Sequence, residues 1–363
     1  MLIHPKGSPS SRIWVIAESP LANDDKKGYL FSAGLGYAFD KMMQDAACPD
    51  YYVICRRPHT DNASAFTIVE NELNHYKPPL IIAIGSVGQH FCECLKPDKK
   101  HKSYVSQLNK YVGSLLTSNA GLLNYPHYIF PIQEIGYFMQ DYTERNVTTY
   151  FDLQKLREEY FYWSKHGTIQ PLPIRDLRYQ EMQIEEILTH FARFSRASLI
   201  SVDIETMYPK GASSYRPHPG LPVTISISDS PDFAISFNFF RDSPTETRIL
   251  WRELNELLRQ VPNLGQNYFN FDAHFLKALG FEINLRQVQD TLIRHHILWP
   301  ELPHKLQFQT RQYTREPYYK DDGHHWSFKN MTKLRRYNCL DTAVTLEIYN
   351  AQEDEFREKK ELK

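Results

Sequence analysis

"LISVDIETMYP" runs from Leu199 to Pro209 and ends an apolar stretch in two carboxylates, Asp203 and Glu205. In a β-strand, residues i and i+2 face the same side, about 6.6 Å apart at ~3.3 Å rise per residue, so these two side chains converge. Two ionised carboxylate heads about 5 Å apart repel by roughly 3 kcal/mol at an effective dielectric of 20, and a shared proton or a cation must offset that repulsion. Oxygen-only donors favour a hard ion such as Mg²⁺ or Mn²⁺. A strand running into a polar turn, its Asp and Glu merely solvated, gives the same letters, so the motif needs company.

Two distant segments supply it. In "NLGQNYFNFDAHFLKALGF" (Asn263 to Phe281), Asn267 and Asp272 flank Phe271, and Asp272 opens a helical pattern whose apolar face is Phe275, Leu276 and Leu279. Read alone, Asp272 is a good helix N-cap. In "RRYNCLDTAVTLEIY" (Arg335 to Tyr349), Tyr337 and Asp341 lie one helical turn apart on one face, which many ordinary helices also show.

The order DxE, NxxxFD, YxxxD resembles the three exonuclease motifs of the DnaQ-like 3′→5′ exonucleases, and most of all the proofreading domains of family A DNA polymerases. "QDTLIRHHILWPELPHKLQFQTRQYTREPYYKD" is similar to the polymerase segment between the second and third motifs. The resemblance covers about residues 175 to 363 and implies an RNase H-like fold with a mixed sheet. It also implies that Asp203, Glu205, Asp272 and Asp341 ligate two Mg²⁺ or Mn²⁺ ions and that Tyr337 orients the attacking water. The histidine subtype carries His where Arg336 stands, so this is the tyrosine (DEDDy) pattern. With a pKa near ~10, Tyr337 is a poor general base at neutral pH. Thr206, Met207, Asn267 and Phe271 are the expected contacts for the terminal nucleotide of a single-stranded DNA or a frayed primer 3′ end. Asp290 in "QDTL" fits the family and fits a helix cap equally well.

The first part of the chain has a different rhythm. "RIWVIA", "YYVIC", "LIIAIG" and "HYIFPI" alternate with helix-like segments such as "AGLGYAFDKMMQDAA", "SAFTIVENELNHY" and "SVGQHFCECL", which predicts an α/β/α domain on a mostly parallel sheet. We place that domain at residues 1–165, a linker at 166–178 ("GTIQPLPIRDLRYQ" carries Gly and two Pro) and the exonuclease-like domain at 179–363. "AESPLANDDKKGYLFSAGLGYAFDKMM", "YYVICRRPH" and "PPLIIAIGSVGQHF" together resemble the uracil-DNA glycosylase superfamily. Against that pattern, Ala17 and Leu21 replace glycines, the uracil-reading Asn falls near Tyr52, and "FPIQEIG" (Phe130 to Gly136) has no histidine. The cysteines that hold an iron–sulfur cluster in some members are also missing. Base excision needs a pocket that reads the flipped base, so a degenerate domain kept for DNA or protein contact is expected. Glu18, Phe31, Arg56 and Arg57 are its candidate DNA contacts.

The chain as a whole sets bounds. Its 363 residues fit two cores, and 42% hydrophobic with 23% charged residues is ordinary for a folded, soluble protein. A net charge of −1 argues against a uniformly basic DNA-gripping surface and leaves only local patches such as "KPDKKHK" and "KLRRYN". No apolar run reaches membrane length and no signal-peptide layout opens the chain, so a cytoplasmic location without membrane contact is expected. Five cysteines without a CxxC pair predict neither a disulfide framework nor a zinc ribbon. His295 and His296, adjacent on a helix, are not expected to share a face, so no zinc site is predicted there. The layout resembles some phage family A polymerases, implying a polymerase module in cis or in trans. The competing readings are a DNA-binding or polymerase-accessory module with an inactive nuclease, and a bifunctional glycosylase and exonuclease.

Overall fold

The computed structural model describes residues 3–46, 48, 50–55, 62–92, 94, 104–117, 123–138, 144–168, 170–207, 220–324 and 331–361. The chain divides into two compact units, Met1–Pro171 and Leu172–Lys363.

The first unit is built on β1 (Ile13–Ala17), β2 (Tyr51–Cys55), β3 (Leu80–Ile84), β4 (Leu116–Thr117) and β5 (Tyr128–Ile132), in the order β2-β1-β3-β5-β4. All neighbours are parallel except β4, which runs antiparallel to β5. Its helices are α1 (Asp24–Lys27), α2 (Leu35–Asp45), α3 (Asn62–Tyr76), α4 (Tyr104–Tyr111), α5 (Ile135–Phe138) and α6 (Glu144–His166). Both sheet faces are covered, as continuous apolar strands require. Ile13 and Val15 pack with Phe39 and Met43 of α2 and Leu153 and Leu156 of α6. Trp14 and Ile16, pointing the other way, pack with Val69 and Leu73 of α3. The helix expected over "SVGQHFCECL" is instead a 3₁₀ segment, Gly85–His90. It begins at Gly85 in a left-handed conformation (φ +60°), where a Cβ would collide with the Glu134 carboxylate.

The second unit holds β6 (Asp176–Arg178), β7 (Ile200–Met207), β8 (Leu221–Ser230), β9 (Phe233–Asn238), β10 (Asn263–Gly265) and β11 (Gln289–Asp290), in the order β11-β10-β7-β8-β9-β6. β7, β8 and β9 form an antiparallel meander, while β10, β11 and β6 each pair in parallel with their neighbours. The sheet is therefore mixed. Residues 166–178 are not all linker: α6 runs to His166, and Asp176–Arg178 adds an edge strand to β9, because its backbone groups find partners on that free edge.

The helices here are α7 (Ile184–Phe194), α8 (Pro244–Gln260), α9 (Asp272–Ala278), α10 (Thr291–Leu298), α11 (Leu306–Tyr313) and α12 (Met331–Glu361). Ser243 caps α8, accepting from the Glu246 N–H at 3.4 Å, with Pro244 in the first turn where its missing N–H costs nothing. Period-2 alternation sorts the sheet's faces. Ile200, Val202, Ile204, Ile225, Ile227 and Ile235 enter the main core with Ile187 and Phe191 of α7 and Leu250 and Leu254 of α8. The opposite face is small and polar: Thr224, Ser226 and Ser236 are fully buried, and α12 lies across β7, β8 and β9. There Ser226 and Thr342 hydroxyls pair at 2.7 Å, so a helix packs closely without large apolar side chains.

Asp290 caps α10, accepting from Leu292 N–H at 2.9 Å, and also clasps the 267–269 loop through the N–H groups of Asn267 (3.0 Å) and Phe269 (3.3 Å). Although adjacent on α10, His295 and His296 both reach one partner. After α10 the chain turns back, and the His304 ring offers Nδ1 to His295 Nδ1 (2.7 Å) and Nε2 to His296 Nδ1 (3.0 Å). His295 is fully buried, its Nε2 2.9 Å from Gln312 Oε1. Burial, only partly offset by Gln312, pushes its pKa down to about 4. The unfolded chain therefore takes up a proton that the fold refuses, and stability falls as pH drops from about 6.5 towards 4, by about 2 kcal/mol. Urea midpoints at pH 7 and 4.5 should show that loss, and His295→Gln should shrink it relative to the parent; an equal loss in both would remove His295 as its cause.

Candidate metal centre

The alternation that sends Val202 and Ile204 into the apolar core sends Asp203 and Glu205 to the α12 side. Asp341 of α12 meets them there, and one oxygen from each of the three lies within 4.8 Å of the others. A bulge between Glu205 and Thr206 ends the regular pairing just past the carboxylates.

Asp272 adjoins this trio without joining it. It is 1% exposed, and its Oδ1 accepts the N–H of Ile204 at 2.9 Å. It is the first residue of α9, not its cap; Phe271 occupies the cap position. Asn267 sits in that loop at φ +59°, its side-chain oxygen accepting from Asn270 Nδ2 at 3.1 Å. Phe271 is half-buried with its ring 5.1 Å from Phe275, and Thr206 and Met207 are half-buried at the end of β7.

Two groups that pattern reading missed complete the surroundings. Asn338 Nδ2 donates to Asp203 Oδ2 at 2.6 Å, while its oxygen accepts from Ser236 (3.0 Å) and Thr224 (3.3 Å). Lys320, in the 3₁₀ segment Lys320–His324, donates to both Asp341 oxygens at 2.6 and 2.7 Å and to the Tyr337 hydroxyl at 3.1 Å. Asn338 was in view within "YNCLD"; Lys320 in "YYKDD" carries no periodic or capping signal. Gly323 lets that segment close on the tyrosine, since a Cβ there would meet the Tyr337 ring at 2.8 Å.

The electrostatics follow from burial and like charge. Asp203 is pushed up to about 8, by burial first and the Asp341 charge second, against the pull of Lys320 and Asn338. Glu205 is raised by burial, then by Asp203 and Asp341; Asp272 is raised by burial, then by Asp203. Tyr337 is raised further above its ordinary value by burial and by the charges of Asp341, Glu205 and Asp203, so it remains a neutral phenol. Carboxylate oxygens alone, crowded and resisting ionisation, suit a hard divalent cation, whose charge removes the repulsion.

In the first unit, Glu18 is half-buried just beyond β1, and its charge adds to the burial that raises Glu134, which follows β5. Phe31 is fully buried, its ring edge-on to Phe39 at 5.4 Å. The Phe31 ring is thus not presented as a DNA contact; its backbone N–H is held by Asp24 (2.9 Å), which also accepts from the N–H groups of Leu21 and Ser32. Arg56 and Arg57 lie outside the described residues.

No family model and no curated protein matches the chain. Among solved structures it is similar to the EXO domain of Aedes aegypti Nibbler (TM-score 0.39, 16% identity, 52% of this chain and 93% of that one). It is also similar to the catalytic core of RRP6 from Trypanosoma brucei (TM-score 0.37, 14% identity, 52% and 51%). A third is the POL domain of Pol1 from M. smegmatis (TM-score 0.36, 14% identity, 50% of this chain and 28% of that one). The chain thus spans about half of the trypanosome core. Among the described residues, no helix is long and apolar enough to cross a membrane.

Proposed function

We propose that the second unit is a metal-dependent 3′→5′ exonuclease of the tyrosine-type DEDD pattern, acting on DNA. The observation that carries this reading is the meeting of Asp203, Glu205 and Asp341 oxygens within 4.8 Å, from a strand and a helix far apart in sequence. Asp203, Glu205 and Asp341 would hold one Mg²⁺ or Mn²⁺, and Asp203 with Asp272 a second. When bound, such ions lower the pKa of water and stabilise charge on a phosphodiester. The chain's own groups position the reaction. Asn338 fixes the Asp203 carboxylate, and the neutral Tyr337 hydroxyl offers a hydrogen bond to the incoming water. Thr206, Met207, Asn267 and Phe271 remain the proposed contacts for the terminal nucleotide of a single strand or frayed primer end.

In the same reading the first unit is a degenerate uracil-glycosylase-like domain, with Glu18 still at the end of β1. The protein would work in the cytoplasm as the proofreading part of a phage-type family A polymerase, or beside one supplied in trans. A 5′-labelled single strand incubated with Mg²⁺ or Mn²⁺ should shorten stepwise, stop at a phosphorothioate at its 3′ end and stay intact in EDTA. An unchanged strand with either ion defeats the nuclease reading. Uracil-containing DNA should yield no alkali-cleavable sites; abasic products would restore the glycosylase.

A further inference from the structure

Among the described residues, Lys320 forms an ion pair with the carboxylate trio, through Asp341. Its side chain is only 16% exposed, and its ammonium engages both oxygens of Asp341, the least exposed member of the trio for which such an ion pair is formed. It also lies 5.0 Å from the Tyr319 ring centroid and 4.9 Å from that of Tyr337, so two aromatic faces and a hydroxyl hold the head in place. An ion bound by Asp203, Glu205 and Asp341 has to draw on a carboxylate whose oxygens this ammonium already occupies.

We infer that Lys320 sets the divalent-ion affinity of the cluster, sharing Asp341 with the ion and opposing it by like charge. The inference rests on the metal-dependent reading above. A unit charge about 5 Å from a divalent ion, at the dielectric of water and with modest salt, changes the ion's binding constant by about tenfold. The lysine thereby prevents the site from holding its ion too tightly and keeps Asp341 and Tyr337 aligned while no ion is bound.

The test titrates metal-free full-length protein with Mn²⁺ and follows the loss of the free-ion EPR signal, which needs no turnover. Lys320→Met and Lys320→Gln should each half-saturate at about tenfold lower Mn²⁺ than the parent, and Lys320→Arg, which keeps the charge, within about threefold of it. Adding Asp203→Asn to Lys320→Met should abolish the tight phase and so place it at this cluster. Unchanged or weaker binding in both neutral variants overturns the inference. Tighter binding with no strand shortening would leave it standing and remove the exonuclease reading; strand shortening without tighter binding would do the reverse.

Discussion

Asp203→Asn should lower strand shortening by at least about a thousandfold and, in EDTA, raise the melting temperature by about 3 °C. The two effects share one cause. Asp203 is packed against Asp341 and Glu205, and burial with like charge pushes its pKa up to about 8. A fold that gathers such groups stores repulsion that a cation relieves, a common exchange of stability for function. The amide keeps the shape and spares the fold the cost of protonating or charging this position, and its oxygen can still accept from Asn338 Nδ2, 2.6 Å away in the parent. It also removes the central ligand of both proposed ions, hence the expected rate loss. Mg²⁺ should then raise the melting temperature of the parent and leave the variant unmoved, because only a site that binds the ion in the folded state gains from it. Calorimetry with and without the ion checks this. An equal Mg²⁺ response in both proteins, or a variant keeping a tenth of the activity, would place the site elsewhere.

Arg175→Met should be the most damaging single change to the stability of the second unit, by about 4 kcal/mol. The guanidinium is 4% exposed. It donates to Glu316 Oε2 at 3.1 Å, to the Glu347 carboxylate and to the Pro231 carbonyl. One side chain thereby ties the approach to β6 to the β8–β9 turn, the segment after α11 and the middle of α12. Its own burial is costly, so the pair adds little beyond a well-packed apolar replacement. Removing one partner is different, since it leaves two half-buried carboxylates without their cation. Burial already pushes Glu316 up, and the Arg175 charge is the largest force holding it down. Without the arginine, Glu316 can regain neutrality by taking a proton, so the deficit should shrink as pH falls from 8 to 5. The melting temperature should drop by about 10 °C at pH 8, and Glu316→Gln with Glu347→Gln in the same background should restore much of it. A drop under about 3 °C would mean the cluster is solvated enough to do without its cation.

Local pattern carried much of the second unit. The meander of β7, β8 and β9 and the helices α8, α9, α10 and α12 follow from periods of 2 and 3.6, and these are properties of neighbours along the chain. The facing of Asp203 and Glu205 is legible for the same reason. Where pattern failed, the competing influence was a partner from elsewhere. Residues 176–178 look like a linker because a three-residue edge strand has no period of its own and needs β9 to exist. His295 and His296 do point apart on α10; the return of His304 is a tertiary fact that no helical wheel contains. In the first unit, Phe31 kept its place in the motif, and only packing against Phe39 shows that its ring faces inward.

By itself, then, the sequence determined which residues could share a face: Asp203 with Glu205 by alternation, Tyr337 with Asp341 by the helical turn. The tertiary structure decided that those faces meet. It did so by lining β8 and β9 with Thr224, Ser226 and Ser236, whose small side chains let α12 approach closely enough for Asp341 to reach the strand carboxylates. It also chose the partners: Asn338 across 135 residues from Asp203 and Lys320 across 21 from Asp341. Periodicity is a local property, whereas convergence of charge depends on how elements pack, and that depth is set by residues which carry no chemistry of their own.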